Sequence, residues 1–175
     1  MLTGEICILA GGLSTRMGRN KARLRLRGKT LLRHIHETAR STSWPVRIIR
    51  RDLVPRCGPL GGIYTALKTS KAGRVLFLAC DMPFVSVDLL EWLITSPAPK
   101  VFATSDGKAG FPFLLARDAL PIVEKQLAIP QYSVQALAEA CHAALLQTPS
   151  SFLFNINTPG EWQRAQNISQ NLPVQ

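Results

Sequence analysis

Glu5-Ile6-Cys7-Ile8-Leu9-Ala10 runs directly into Gly11-Gly12-Leu13-Ser14-Thr15-Arg16-Met17-Gly18-Arg19-Asn20-Lys21. The first six residues read as a buried strand, and the rest as a loop carrying three glycines and three cations. Such a loop is suited to wrapping a triphosphate. Glycine lets backbone N–H groups come close to phosphate oxygens, while Arg16 adds a planar fork and Lys21 a point charge to the same anion. The spacing is neither GxxxxGK[ST] nor GxGxxG, so the two commonest phosphate-binding signatures lose support.

Outward from this stretch, short apolar runs bounded by glycine alternate with helical periodicity, the mark of a mostly parallel sheet covered on both faces. Residues 23–30 alternate as a short hairpin around Arg27-Gly28, and residues 31–41 read as a helix. Residues 46–49 form a second strand and 61–71 a helix. Residues 74–80, RVLFLAC, are apolar enough for a central strand buried on both faces, ending at Asp81. Ser86 starts a helix over 86–94 as its N-cap. Beyond Pro97-Ala98-Pro99, strands are expected at 100–104 and 113–115, with a turn at Asp106-Gly107 between them. Helices follow at 118–127 and 133–140, closing strands at 143–147 and 152–156, and a last helix opened by Pro159.

With 175 residues, 46% of them hydrophobic, the chain suffices for one substantial core, and one domain over 1–175 is expected. No apolar run approaches the roughly 20 residues that cross a bilayer, and the N-terminus lacks the basic start of a secretory signal. A cytoplasmic protein with no membrane partner is expected. The four cysteines are scattered without a CxxC pair or zinc-like spacing, so they read as free thiols. The net charge of +10 lies wholly in residues 1–56, where 13 Lys or Arg face Glu5, Glu37 and Asp52, whereas the remainder is balanced. A localised basic half implies a polyanionic partner. Nucleic acid is disfavoured, because few aromatics interleave with these cations and no helix-turn-helix or RNA-binding signature follows.

Four blocks carry a family resemblance. LAGGxSxRMGxxK at residues 9–21 resembles the signature of the molybdenum cofactor guanylyltransferases, within the nucleotidyltransferases that act on sugars and cofactors. Gly58-Pro59-Leu60-Gly61-Gly62 is similar to that family's GPLGG turn, Cys80-Asp81-Met82-Pro83 to its CDMP motif, and Asn155-Ile156-Asn157-Thr158-Pro159 to its NxNTP segment. The blocks occur in the family's order and span almost the whole chain. The resemblance implies a Rossmann-like nucleotidyltransferase fold, α/β in three layers. It further implies that Leu9, Ala10, Gly11 and Gly12 contact the nucleotide and that Lys21 reaches its phosphates. Asp52 stands near a family aspartate of the guanosine site, and Asp81 is expected to ligate Mg²⁺. A carboxylate at the C-terminal end of a buried strand lies where open α/β sheets bind ligands, and a hard cation takes oxygen ligands.

The implied reaction is attack by the terminal phosphate of molybdopterin on the α-phosphorus of GTP, with Arg16, Lys21 and Asp81 as catalytic residues. A phosphate whose second pKa is about 6 needs no general base, and His34, His36 and His142 stand outside all four blocks. Asn157 reads as an Asx turn or helix cap before Pro159 in preference to a metal-orienting role. Two departures touch the site: Asn20 stands where relatives usually carry Asp, and the segment between the second strand and Gly58 is short and lacks the relatives' asparagine. Molybdopterin cytidylyltransferase and a catalytically degenerate nucleotide-binding domain are the alternatives. Transient contact with molybdopterin-delivering proteins is expected.

Overall fold

The computed structural model describes residues 3–11 and 24–171. Its main sheet has six strands in the order β4-β1-β5-β7-β6-β8: β1 (Gly4–Leu9), β4 (Val46–Ile49), β5 (Arg74–Ala79), β6 (Lys100–Ser105), β7 (Lys108–Ala116) and β8 (Ala144–Gln147). The pairs β1–β4, β1–β5 and β6–β8 are parallel, and β7 runs antiparallel to both of its neighbours. The mostly parallel sheet expected from the sequence is therefore present, with a single reversed strand. That reversal comes from a tight hairpin. Asp106 (φ 52°) and Gly107 (φ 73°) are both left-handed, as a two-residue turn joining Ser105 to Lys108 requires.

Alternation along β1 and β5 divides the core between the two faces of the sheet, because successive side chains of a strand point oppositely. Cys7, Leu9, Val75 and Phe77 meet α2 (Gly58–Thr69), α4 (Leu120–Ala128) and α5 (Val134–Ala140) on one side. Ile6, Ile8, Leu76 and Leu78 meet α1 (Leu31–Arg40) and α3 (Val87–Thr95) on the other. Three layers result. On the first face Phe113 stacks between Phe102 (centroids 4.4 Å apart) and Phe77 (5.0 Å). Each such pair contributes about 0.5–1.5 kcal/mol beyond area burial.

Most element boundaries fall within a residue or two of expectation, but β7 starts at Lys108, five residues before the strand expected at 113–115. The Arg27-Gly28 hairpin is present as β2 (Arg25–Leu26) and β3 (Lys29–Thr30), and the Ser86 hydroxyl caps α3 by accepting from the Leu89 N–H at 3.2 Å. No disulfide links any of the four cysteines. Helix α2 starts at Gly58, three residues before its expected start, because Pro59 fits the first helical turn; Gly58, at φ 53°, makes the left-handed bend that leads into it. The strand expected at residues 152–156 is absent. Phe152 and Leu153 fold back in turns onto the carbonyls of Pro149 and Ser150, and the apolar residues after them fill a small separate core. The last helix, α6 (Pro159–Asn171), packs there through Trp162 and Ala165, against Leu26, Leu31, Phe84, Phe154 and Ile156.

Candidate active site

Register sets the site. Leu9 is paired with Ile49 on one side and with Ala79 on the other, so β1, β4 and β5 end level with one another. The chain beyond each strand emerges at the same edge of the sheet: Ala10-Gly11, then Arg50 to Asp52, then Cys80-Asp81. The Ala10 N–H donates to the Ile49 carbonyl at 2.9 Å, and the Cys80 N–H donates to the Leu9 carbonyl at 3.2 Å. These bonds hold the start of the glycine-rich loop between the other two tips.

Asp52 is wedged among three glycines. A Cβ added to Gly11 would lie 3.3 Å from Asp52 Oδ1 and 3.3 Å from the Arg50 carbonyl oxygen. One added to Gly61 would lie 2.9 Å from Asp52 Oδ2 and only 2.5 Å from the Val54 carbonyl oxygen. At Gly62 the nearest atoms would be the Leu9 methyls at 3.2 Å, with Asp52 Oδ1 at 3.4 Å. The GPLGG turn thus lets helix α2 approach the carboxylate and the β1 tip at a distance that no side chain would allow. Thr65 locks this approach: its hydroxyl donates to the Gly61 carbonyl at 2.7 Å and accepts from the Leu53 N–H at 2.8 Å. Burial in the cleft raises the pKa of the Asp52 carboxyl above the usual aspartate value.

Asp81 sits half-buried in the turn after β5, preceding Met82, which is fully packed. Its carbonyl accepts from the Ile156 N–H at 3.0 Å, which brings the fourth motif block to the same end of the sheet. Of the expected site residues, the fold brings Leu9, Ala10, Gly11, Asp52 and Asp81 together. Gly12, Arg16 and Lys21 lie outside the described residues.

No cluster of three or more His, Cys, Asp or Glu suited to a metal occurs among the described residues. Asp81 offers one carboxylate at the strand tips, and Mg²⁺ usually takes one or two carboxylates and completes its shell with phosphate oxygens and water. The histidines stand elsewhere, as expected; His34 Nε2, for example, bonds the Leu26 carbonyl at 2.7 Å. Among the thiols, burial pushes Cys7 up to about 12, far from a thiolate.

Two residues with a part in this architecture escaped the sequence reading. Thr65 carried no signal beyond its place four residues after Gly61. Glu161 could have been found: Thr158-Pro159-Gly160-Glu161 has the capping-box spacing. Glu161 Oε2 accepts from the Asn157 N–H (2.7 Å) and the Thr158 N–H (2.8 Å), and the Glu161 N–H returns a bond to Thr158 Oγ1 (3.2 Å). The side chain capping α6 is therefore that of Thr158, one residue beyond Asn157.

The pattern of the MobA-like NTP transferase domain matches residues 6–51 and 42–143. The molybdenum cofactor guanylyltransferase of Pseudomonas putida is 31% identical over 91% of this chain and 95% of its own length. That of Acinetobacter baumannii is 29% identical over 94% and 91%. Molybdopterin-guanine dinucleotide biosynthesis protein A of Archaeoglobus fulgidus superposes with a TM-score of 0.73 at 21% identity, covering 96% of this chain and 100% of that one. A family pattern spanning well over half the sequence, joined to three parallel strands that end level at one edge of the sheet, leaves one assignment: the chain belongs to the MobA-like NTP transferase family.

Proposed function

We propose that this protein, as one catalytic domain over residues 1–175, transfers GMP from GTP to the terminal phosphate of molybdopterin. The products are the guanine dinucleotide cofactor and pyrophosphate. The observation that carries the reading is the convergence of Gly11, Asp52 and Asp81 at the level ends of β1, β4 and β5, because a nucleotide in such a sheet lies across those tips. The guanylyltransferase names of relatives matched along nearly their whole length support the substrate choice.

In this reading the backbone of Leu9, Ala10, Gly11 and Gly12 lies against the nucleotide, and Arg16 and Lys21 neutralise its phosphates. Asp52, an acceptor-only group when ionised, takes hydrogen bonds from the adjacent N–H donors of guanine. The attacking phosphate is already ionised near neutral pH, its second pKa being about 6, so no residue has to remove a proton. Asp81 would hold Mg²⁺, which supplies charge neutralisation at the transferring phosphorus. The chain's own work is alignment: its strand tips hold donor and acceptor for in-line displacement.

No helix among the described residues is long and apolar enough to cross a membrane. The reaction is assigned to the cytoplasm, with the pterin received through brief contact with a delivering protein. The test is pyrophosphate release with GTP, CTP, ATP and UTP, each with molybdopterin and Mg²⁺. Release with GTP alone is expected. A preference for CTP would transfer the assignment to the cytidylyl reaction, and no release with any triphosphate would sink it.

A further inference from the structure

The last block of the chain is joined to the site by hydrogen bonds as well as by sequence order. Backbone hydrogen bonds hold the chain on both sides of the Asp81 Cα. Upstream, the Cys80 N–H is held by the Leu9 carbonyl; downstream, the Asp81 carbonyl is held by the Ile156 N–H at 3.0 Å. With only φ and ψ free at each residue, two anchors this close, one on the peptide before Cys80 and one directly after the Asp81 Cα, restrict the direction of the Asp81 Cα–Cβ bond. The downstream bond depends on residues 155–157, which lie outside any helix or strand and have no ladder to hold them. Glu161 supports them from the first turn of α6. Its Oε2 gathers the N–H groups of Asn157 and Thr158 and the Thr158 hydroxyl (3.1 Å), one residue beyond the bond to Asp81. The same segment closes the small core through fully buried Ile156, where Leu24 and Leu26, just after the glycine-rich loop, pack with Phe84, three residues after Asp81. Arg27 on the hairpin turn donates to the Ser169 carbonyl in α6, tying the hairpin to the helix that Glu161 begins.

We propose that Glu161 is a positioning residue: by clamping residues 155–158 it sets the orientation of Asp81 and the place where the glycine-rich loop returns to the fold. The proposal rests on the reading of Asp81 as the reacting centre's carboxylate. Glu161 itself touches no substrate. It acts through the Ile156–Asp81 hydrogen bond.

The test compares Glu161→Ala, Glu161→Gln and wild type by pyrophosphate release and by amide hydrogen exchange on the whole protein. Glu161→Ala is expected to lower kcat by about ten- to a hundredfold, the scale of a misplaced reacting group, with KM for GTP changing by less than about threefold. Peptides covering residues 79–84 and 154–158 should exchange faster while those of β6 and β8 do not. Glu161→Gln, which retains the capping-box acceptor, should restore both. A helix cap of purely structural effect would lower Tm and leave kcat and exchange at 79–84 unchanged, and that outcome overturns the proposal. Should Glu161→Ala fail to fold, Glu161→Asp, with the charge kept and the reach shortened, is expected to show the same split, and a wild-type kcat there overturns it equally. A wild type inactive with every triphosphate would sink the functional reading alone. The exchange comparison would then decide the clamp, slow wild-type exchange at 79–84 that Glu161→Ala leaves unaltered being the result against it.

Discussion

At the scale of single residues the two aspartates of the site face different environments, and the difference is measurable. Asp81 carries its consequence in turnover. Asp81→Asn keeps the shape but removes the charge that would hold the cation, so kcat should fall by about 10²–10³-fold, comparable to losing one preorganised transition-state group. Nucleotide affinity and Tm should stay near wild type. Steady-state kinetics with equilibrium GTP titration check this, and undiminished turnover would remove Asp81 from the mechanism. Asp52 carries its consequence in stability as well. Burial raises its pKa in the folded chain, so the folded state binds its proton more readily than the unfolded state does. Stability from this group is full below the ordinary aspartate pKa and is lost as pH rises through the raised value. At neutral pH the ionised form is therefore a strain on the fold that Asp52→Asn relieves. The variant should melt higher than wild type at pH 7, with the difference shrinking on acidification through the aspartate range, while its KM for GTP rises. Melting curves across pH alongside KM measurements test the pair; a lower Tm for Asp52→Asn at pH 7 would show that the carboxylate stabilises the cleft instead.

At the scale of elements, the close approach of α2 to the β1 tip rests on Gly61. Gly61→Ala would place a methyl 2.5 Å from the Val54 carbonyl oxygen, and backbone there cannot swing aside as a side chain end would. A loss of about 1–3 kcal/mol is expected, typical of overpacking, with impaired GTP binding as the helix retreats. Gly160, in the first turn of α6, has nothing within 4 Å of its added Cβ. Gly160→Ala should stabilise by about 0.4–1 kcal/mol through the unfolded chain. Chemical denaturation of both variants measures the contrast, and equal effects would contradict the packing described for α2. These positions also show where sequence legibility ends. The strands β1 and β5, the Ser86 cap and both tight turns were readable because periodicity, hydroxyl caps and the Arg27-Gly28 and Asp106-Gly107 pairs are local signals. Residues 152–156 misled because Phe152, Phe154 and Ile156 alternate like a strand. Only the packing with Leu26 and Phe84, distant in sequence, makes that alternation a loop over a small core. The wedge of Asp52 among Gly11, Gly61 and Gly62 was equally hidden, since it is a fact of three segments meeting.

For the molecule as a whole, the asymmetry of charge was plain in the sequence, but its destination needed the topology. Residues 1–56 hold the entire excess of +10, and the fold sends part of it to the site: Arg50, Arg51 and Arg56 are exposed on the loop between β4 and α2 that also bears Asp52. Sheet order explains why, because β1 and β4, both from the basic half, are neighbours that end level at one edge of the sheet. A triphosphate approaching those tips is drawn by the excess of positive charge in that half of the chain, and such attraction is screened as the Debye length falls from about 10 Å at 0.1 M salt to about 3 Å at 1 M. Raising KCl through this range should therefore raise KM for Mg²⁺-GTP several-fold while kcat at saturation holds nearly constant, since alignment at the strand tips is short-ranged and shielded from bulk ions. The same titration with a single-stranded oligonucleotide separates this from nucleic-acid binding, whose affinity would collapse by orders of magnitude with a log–log slope set by the phosphates neutralised. A KM for GTP indifferent to salt would mean that the basic half serves something other than the nucleotide cleft.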